Sequence, residues 1–203
     1  MPVDPTAKIA LVRHGETDWN LAGRIQGRTD IALNDTGRAQ AAETGRLLAS
    51  HGSWTGLVSS PLGRAVETAE IIGSTIDRTA PAIDEGIWER NFGLAEGMHF
   101  ADADARWPGL RGIPESEPLE DMSERGAAAL LRLLETAPGS VVVSHGALIR
   151  WSLSRIAGSP LPRVLNGEIW MLSLDHESGA APRVKRFAAP GPVRDRRPTP
   201  LRD

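Results

Sequence analysis

Two widely separated segments of this chain do the same unusual thing: a short apolar run stops abruptly on His-Gly. Lys8-Ile9-Ala10-Leu11-Val12 leads into Arg13-His14-Gly15, and Val141-Val142-Val143-Ser144 leads into His145-Gly146. Runs of this length and apolarity read as buried strands. Each strand therefore delivers an imidazole to its C-terminal end, the first with an arginine beside it, and that end is where open α/β sheets bind ligands. Two such junctions point to a site built from both, and to phosphoryl transfer through histidine.

A third junction supplies an anion-binding device. Residues 54–59 read as a strand, followed by Ser60-Pro61-Leu62-Gly63-Arg64. Ser60 suits a helix N-cap and Pro61 the first helical position, where its missing N–H costs nothing. Arg64 then falls in the first turn of a helix over 61–77 whose apolar stripe is Ala65, Ala69, Ile72 and Ile76. Free backbone N–H groups and the positive end of the helix dipole are expected beside a guanidinium suited to bidentate phosphate contact.

The remaining pattern alternates. Strands are expected over 8–13, 54–59 and 140–144, with a short one at Ala82-Ile83. Helices are expected over 36–50, 61–77, 119–136 and 147–157, and a short one over 98–107 stopped by Pro108. The helix over 119–136 carries Met122, Gly126, Leu130, Leu133 and Leu134 on one stripe. Segment 108–118, rich in glycine and proline, reads as an irregular excursion. Ile169–Leu174 and Arg183–Phe187 read as two last strands around a turn at Glu177-Ser178-Gly179. The tail from Pro190 holds four prolines and four arginines and is expected to be disordered. These features predict an α/β fold with a mainly parallel central sheet flanked by helices on both faces, in one domain over 1–189. Short right-handed crossovers would bring the three junctions to one edge.

In order, the motifs are Arg13-His14-Gly15-Glu16-Thr17 with Trp19-Asn20, Arg24-Ile25-Gln26-Gly27, and Leu33-Asn34-Asp35-Thr36-Gly37 with Gln40-Ala41. Then come Ser59-Ser60-Pro61 with Arg64 and Glu67-Thr68-Ala69, Glu89 with Phe92-Gly93 and Glu96-Gly97, and Ser144-His145-Gly146. This ordered set resembles the histidine phosphatase superfamily, the phosphoglycerate mutase-like group. The resemblance implies the fold just described and a phosphohistidine on His14, whose other ring nitrogen is fixed by a backbone carbonyl, here that of Gly15. It implies that Arg13, Arg64 and His145 hold the phosphoryl oxygens and that Glu89 gives the leaving group a proton. Glu85 and Glu96 compete for that last role; the spacing of Glu89 to the two following glycine motifs favours it. Asn20, Gln26, Gly27 and Gly146 are the candidate substrate contacts. Neither a metal nor a cofactor is needed, and the partner is a small phosphorylated substrate. A homodimer is the assembly the family suggests.

Within the resemblance, the cofactor-dependent mutases carry a longer basic insert where this chain has Met98-His99-Phe100-Ala101-Asp102-Ala103-Asp104. Phosphomonoester hydrolysis is therefore the expected activity. Mutase-type transfer is the alternative, and a catalytically silent member that binds phosphorylated ligands is a third reading. Net charge of −3 and a pI near 6.0 argue against nucleic acid as a partner. Arg13, Arg24, Arg28 and Arg64 are expected to supply a local positive field instead. The chain has no cysteine, and its five histidines show no HExxH spacing. No apolar run approaches the roughly 18–20 residues that cross a bilayer, so no membrane partner is expected. The first residues lack a basic start and an apolar stretch, so a cytoplasmic location is expected.

Overall fold

The computed structural model describes residues 7–174 and 182–189. Its strands are β1 (Lys8–Arg13), β2 (Gly56–Ser59), β3 (Ala82–Ile83), β4 (Ser140–Ser144), β5 (Ile169–Ser173) and β6 (Arg183–Ala188). They form one sheet in the order β3-β2-β4-β1-β5-β6. The first four in that order are parallel; β5 and β6 continue the sheet antiparallel. The helices are α1 (Asp18–Leu21), α2 (Asp35–Ser50), α3 (Gly63–Thr75), α4 (Phe100–Arg106), α5 (Leu119–Thr136) and α6 (Gly146–Ala157). This is the α/β architecture with a mainly parallel central sheet that the sequence pattern predicts. No helix among the described residues is long and apolar enough to cross a membrane.

The apolar runs are continuous because both faces of the sheet are covered. Ile9, Leu11 and Val142 pack on one face against Met122, Leu130 and Leu134 of α5 and Leu148, Ile149 and Leu153 of α6. Ala10, Val12, Val141 and Val143 pack on the other against Leu48 of α2 and Ala65, Ala69 and Ile72 of α3. Each of the buried valine, leucine, isoleucine and methionine side chains among them contributes about 1.5–3 kcal/mol. A separate small core forms beside the sheet's carboxyl edge from Ile25, Phe92, Ala95, Ala103, Leu110 and Ile113, so the expected excursion after α4 is packed down.

Boundaries move where a side chain has another commitment. The strand expected from Trp54 begins at Gly56, because the Trp54 indole N–H donates to Leu48 O at 2.9 Å and ties residue 54 to the end of α2. The helix expected from Pro61 begins at Gly63, with Leu62 as an N-cap that makes no side-chain bond. Ser60 is thus not the cap; its hydroxyl is bound to His145. The turn at 177–179 and the tail from Pro190 lie outside the described residues.

Gly15 and Gly37 lock the loop after β1 onto the start of α2. A Cβ on Gly15 would stand 2.3 Å from the Gly37 carbonyl oxygen, and one on Gly37 would stand 2.1 Å from that of Glu16. All of these neighbours are backbone, so nothing can swing aside. Gly15→Ala is expected to lower stability by about 1–3 kcal/mol, as overpacking does. A urea midpoint that leaves the slope unchanged checks it.

Candidate active site

The site is set by the register of two strands far apart in sequence. Arg13 of β1 lies opposite Ser144 of β4, so the next residues, His14 and His145, emerge side by side. The His14 N–H donates to Ser144 O at 3.0 Å, and the two rings lie 5.2 Å apart, tilted by 60°. β2 ends beside β4, with the Ser60 N–H on Val143 O at 3.0 Å.

His14 is buried and held at both nitrogens. Nδ1 lies 2.7 Å from Gly15 O, an acceptor that fixes the proton on Nδ1 and leaves the lone pair on Nε2. Nε2 accepts from Arg64 Nε at 3.2 Å. The rest of the Arg64 fork is anchored by Nη1 on Thr29 O at 2.9 Å and Nη2 on Gly27 O at 2.7 Å. Although only 1% exposed, Arg64 thus has a fixed orientation. Arg13 reaches the same edge, its Nη1 on Val164 O at 2.8 Å. It lies close against Gly146, where a Cβ would stand 3.1 Å from Arg13 Nε.

Burial holds both imidazoles well below the ordinary histidine value of 6.5. For His14 the Arg64 and Arg13 charges add to the effect and the Gly15 bond opposes it. For His145 the further causes are Arg64, His14, Arg13 and Arg125. The folded state keeps both rings neutral where the unfolded chain binds protons, so the sign follows from linkage. Stability has its full value above 6.5 and declines as pH falls below it. Each ring is expected to contribute a slope of about 1.4 kcal/mol per pH unit just below that range. Urea midpoints between about pH 7.5 and 5 check it, and His145→Gln is expected to remove about half of the slope.

Glu89 is buried against the start of α6. Its Oε1 accepts from Leu148 N at 3.1 Å and Arg90 N at 2.9 Å, and its Oε2 from Ala147 N at 3.2 Å. Of the two competing carboxylates, Glu85 is exposed. Glu96 is consumed in binding loop 28–29, accepting from Arg28 N, Thr29 N and the Thr29 hydroxyl. Gly27, with φ of +57°, makes room for that clasp, since a Cβ there would stand 2.0 Å from Glu96 Oε1.

Asn20 and Gln26 both come to this edge and are buried. Asn20 closes a capping box with Thr17 that forms α1, a helix the apolar pattern does not announce. Its Oδ1 also accepts from Asn166 Nδ2 at 2.9 Å, and Asn166 Nδ2 donates to His14 O at 3.0 Å. Gln26 Oε1 accepts from the Thr17 hydroxyl at 2.9 Å. Asn166 is the residue sequence reasoning missed; the turn-forming pair Asn166-Gly167 before β5 was its only signal.

Two expectations are corrected. The first N–H of α3 is not free for an anion, because the Asp30 carboxylate accepts from Gly63 N at 2.8 Å and lies 3.6 Å from Arg64 Nη1. Of the four arginines expected to supply the field, only Arg13 and Arg64 converge on the histidines. Arg24 is on Gly97 O at 2.6 Å at an exposed position. Arg28 stacks over Trp88 at 4.8 Å and donates to Glu89 O at 3.3 Å. Among the described residues no three His, Cys, Asp or Glu side chains come together as a metal site requires.

Comparison with known proteins identifies the family. The chain is 41% identical over 152 residues to the uncharacterized phosphatase PhoE of Bacillus subtilis, covering 74% of this chain and 77% of that one. It is 36% identical over 166 residues to the probable phosphoglycerate mutase GpmB of Salmonella arizonae, covering 75% and 76% respectively. The phosphoserine phosphatase of Entamoeba histolytica, solved with 3-phosphoglyceric acid, superposes with a TM-score of 0.75 at 30% identity. That match covers 91% of this chain and 98% of the other. The sequence profile of the histidine phosphatase superfamily (branch 1) matches residues 9–181. With that match across most of its length, this chain belongs to the histidine phosphatase superfamily and is an enzyme of the phosphatase and mutase type.

Proposed function

We propose that this protein hydrolyses small phosphomonoesters, without a metal ion, through a phosphohistidine formed on His14. The reading rests above all on the state of that ring: buried, neutral, its Nδ1 on Gly15 O and its Nε2 turned to a fixed guanidinium. Substrate binding draws Arg64 Nε from the ring to a phosphoryl oxygen and frees the lone pair. Nε2 attacks phosphorus, the bond to the ester oxygen breaks, and Glu89 gives that oxygen a proton. Arg13, Arg64 and His145 hold the equatorial oxygens, so most of the acceleration is positioning and electrostatics. Asn20 and Gln26 have spent their carbonyl oxygens on the loop, and their amide N–H groups are what a substrate meets. At the start of α6, Glu89 takes the Ala147 and Leu148 N–H groups and leaves that of Gly146. In the second step Glu89 removes a proton from water, whose oxygen attacks phosphorus. The N–P bond breaks, inorganic phosphate leaves, and His14 is neutral again.

Hydrolysis is favoured over mutase transfer by the segment after Gly97. Its two arginines are engaged elsewhere, Arg106 stacked on Trp107 at 4.5 Å and Arg111 paired with Glu120 at 3.1 Å. No basic cluster is left there to retain a second anionic product. The test is a series of aryl and alkyl phosphates, phosphoserine and 3-phosphoglycerate included, assayed in EDTA for inorganic phosphate and for isomerised ester. Chelator-resistant phosphate release is expected, and an isomerised ester as main product would replace this reading with the mutase one. In the same series Glu89→Gln is expected to lose about 10²–10⁴ in rate on alkyl esters and far less on aryl esters, which leave without a proton.

A further inference from the structure

Ser60 is not absorbed by the chemistry above, yet it is wholly buried beside it. Its Oγ lies 2.7 Å from His145 Nε2, and both residues are fully buried. Its backbone N–H is fixed on Val143 O, so the hydroxyl is placed by the β2–β4 pairing and has no helix to cap. The Leu62 N–H points at the same oxygen from 3.5 Å and takes up its acceptor side. At the far side of the ring, His145 Nδ1 is buried and has no hydrogen-bond partner.

We infer that Ser60 is a positioning residue: its hydroxyl donates to His145 Nε2, places the neutral ring's one proton on Nδ1, and makes His145 a donor to a phosphoryl oxygen. A serine hydroxyl can donate or accept, and a neutral imidazole has one N–H and one lone pair, so this bond selects the tautomer. The opposite arrangement leaves a buried lone pair on Nδ1, which repels an anion that can only accept. With the proton on Nδ1, the unpartnered ring atom is a donor, and a bound phosphate completes it. The uncharged ring then adds a donor without a third positive charge next to Arg13 and Arg64. The inference rests on the site's being a phosphoryl site, but its test needs no turnover.

The whole chain, labelled with ¹⁵N in its histidines, gives the tautomer directly from two-bond ¹H–¹⁵N correlations, with the His145 signals identified by their loss in His145→Gln. The Nδ1–H tautomer is expected in the wild type, with the Nε2–H form appearing in Ser60→Ala. Calorimetry with inorganic phosphate gives the consequence. Ser60→Ala is expected to weaken binding about tenfold in the wild-type background and less than about twofold when His145 is already glutamine. An Nε2–H tautomer in the wild type, an unchanged tautomer in Ser60→Ala, or equal weakening in both backgrounds would each overturn the inference. Failure of the enzyme to release phosphate from any ester would count against the hydrolase reading alone and leave these readouts standing.

Discussion

His14→Ala is expected to lower kcat for aryl phosphate hydrolysis by on the order of 10⁴–10⁶, the scale on which removal of a nucleophile acts. The loss is large because nothing else at the site can replace the nitrogen. His145 is 5.2 Å away centroid to centroid, and its Nε2 is committed to Ser60. Glu89 is held by the first turn of α6. The fold should survive, since the ring's bonds are to Gly15 O and Arg64 and the main chain of residue 14 is kept by Ser144 O and Asn166. The check has two parts. Steady-state rates in EDTA measure the loss, and rapid denaturing quench with labelled substrate measures an acid-labile phosphoryl group present in wild type and absent in the variant. A variant within about tenfold of wild type would assign the chemistry to another group.

Arg64→Lys is expected to cost about 10²–10³ in kcat, in line with the loss of one preorganised donor to the transition state. The charge is retained, so the loss isolates geometry. One guanidinium now serves three acceptors in fixed directions: His14 Nε2 at 3.2 Å, Thr29 O at 2.9 Å and Gly27 O at 2.7 Å. An ammonium on a flexible stem cannot keep two carbonyls and still present a planar pair of N–H groups to phosphate. Burial sharpens the effect, because the two carbonyls lose a donor where water does not readily take its place. Arg24→Ala is the matching control. Its guanidinium is exposed on Gly97 O, and its removal is expected to change the rate by no more than a few-fold. A comparable loss in both variants would mean that the site reads overall charge and not the Arg64 fork.

The sequence carried much of this, and the reasons differ from residue to residue. The strands at Lys8–Arg13 and Ser140–Ser144 and the helix at Leu119–Thr136 were legible to the residue, because a buried strand or an amphipathic helix writes its burial into its own period. The start of α3 was not. Ser60-Pro61 has the local chemistry of a helix entry, but a partner 85 residues away claims the hydroxyl, and Asp30 caps the helix instead. The four-residue helix at Asp18–Leu21 was invisible because side-chain bonds between Thr17 and Asn20, not an apolar stripe, hold it.

By itself the sequence determined which residues stand at the ends of the strands and what kinds of chemistry they bring: two imidazoles, two arginines, a carboxylate and the glycines that let the loops approach. Local pattern suffices for that, since strand and helix periods are properties of a few consecutive residues. Only the tertiary structure decided which of those groups meet. The parallel register of β1 on β4 sets the two histidines side by side. The first turn of α6 holds the Glu89 carboxylate, while loop 28–29 engages that of Glu96 and the Glu89 carbonyl takes the Arg28 guanidinium. Asn166 is carried 152 residues along the chain to hold His14 and Asn20 together. Such contacts are made by whole surfaces burying one another, so no short stretch of sequence contains them.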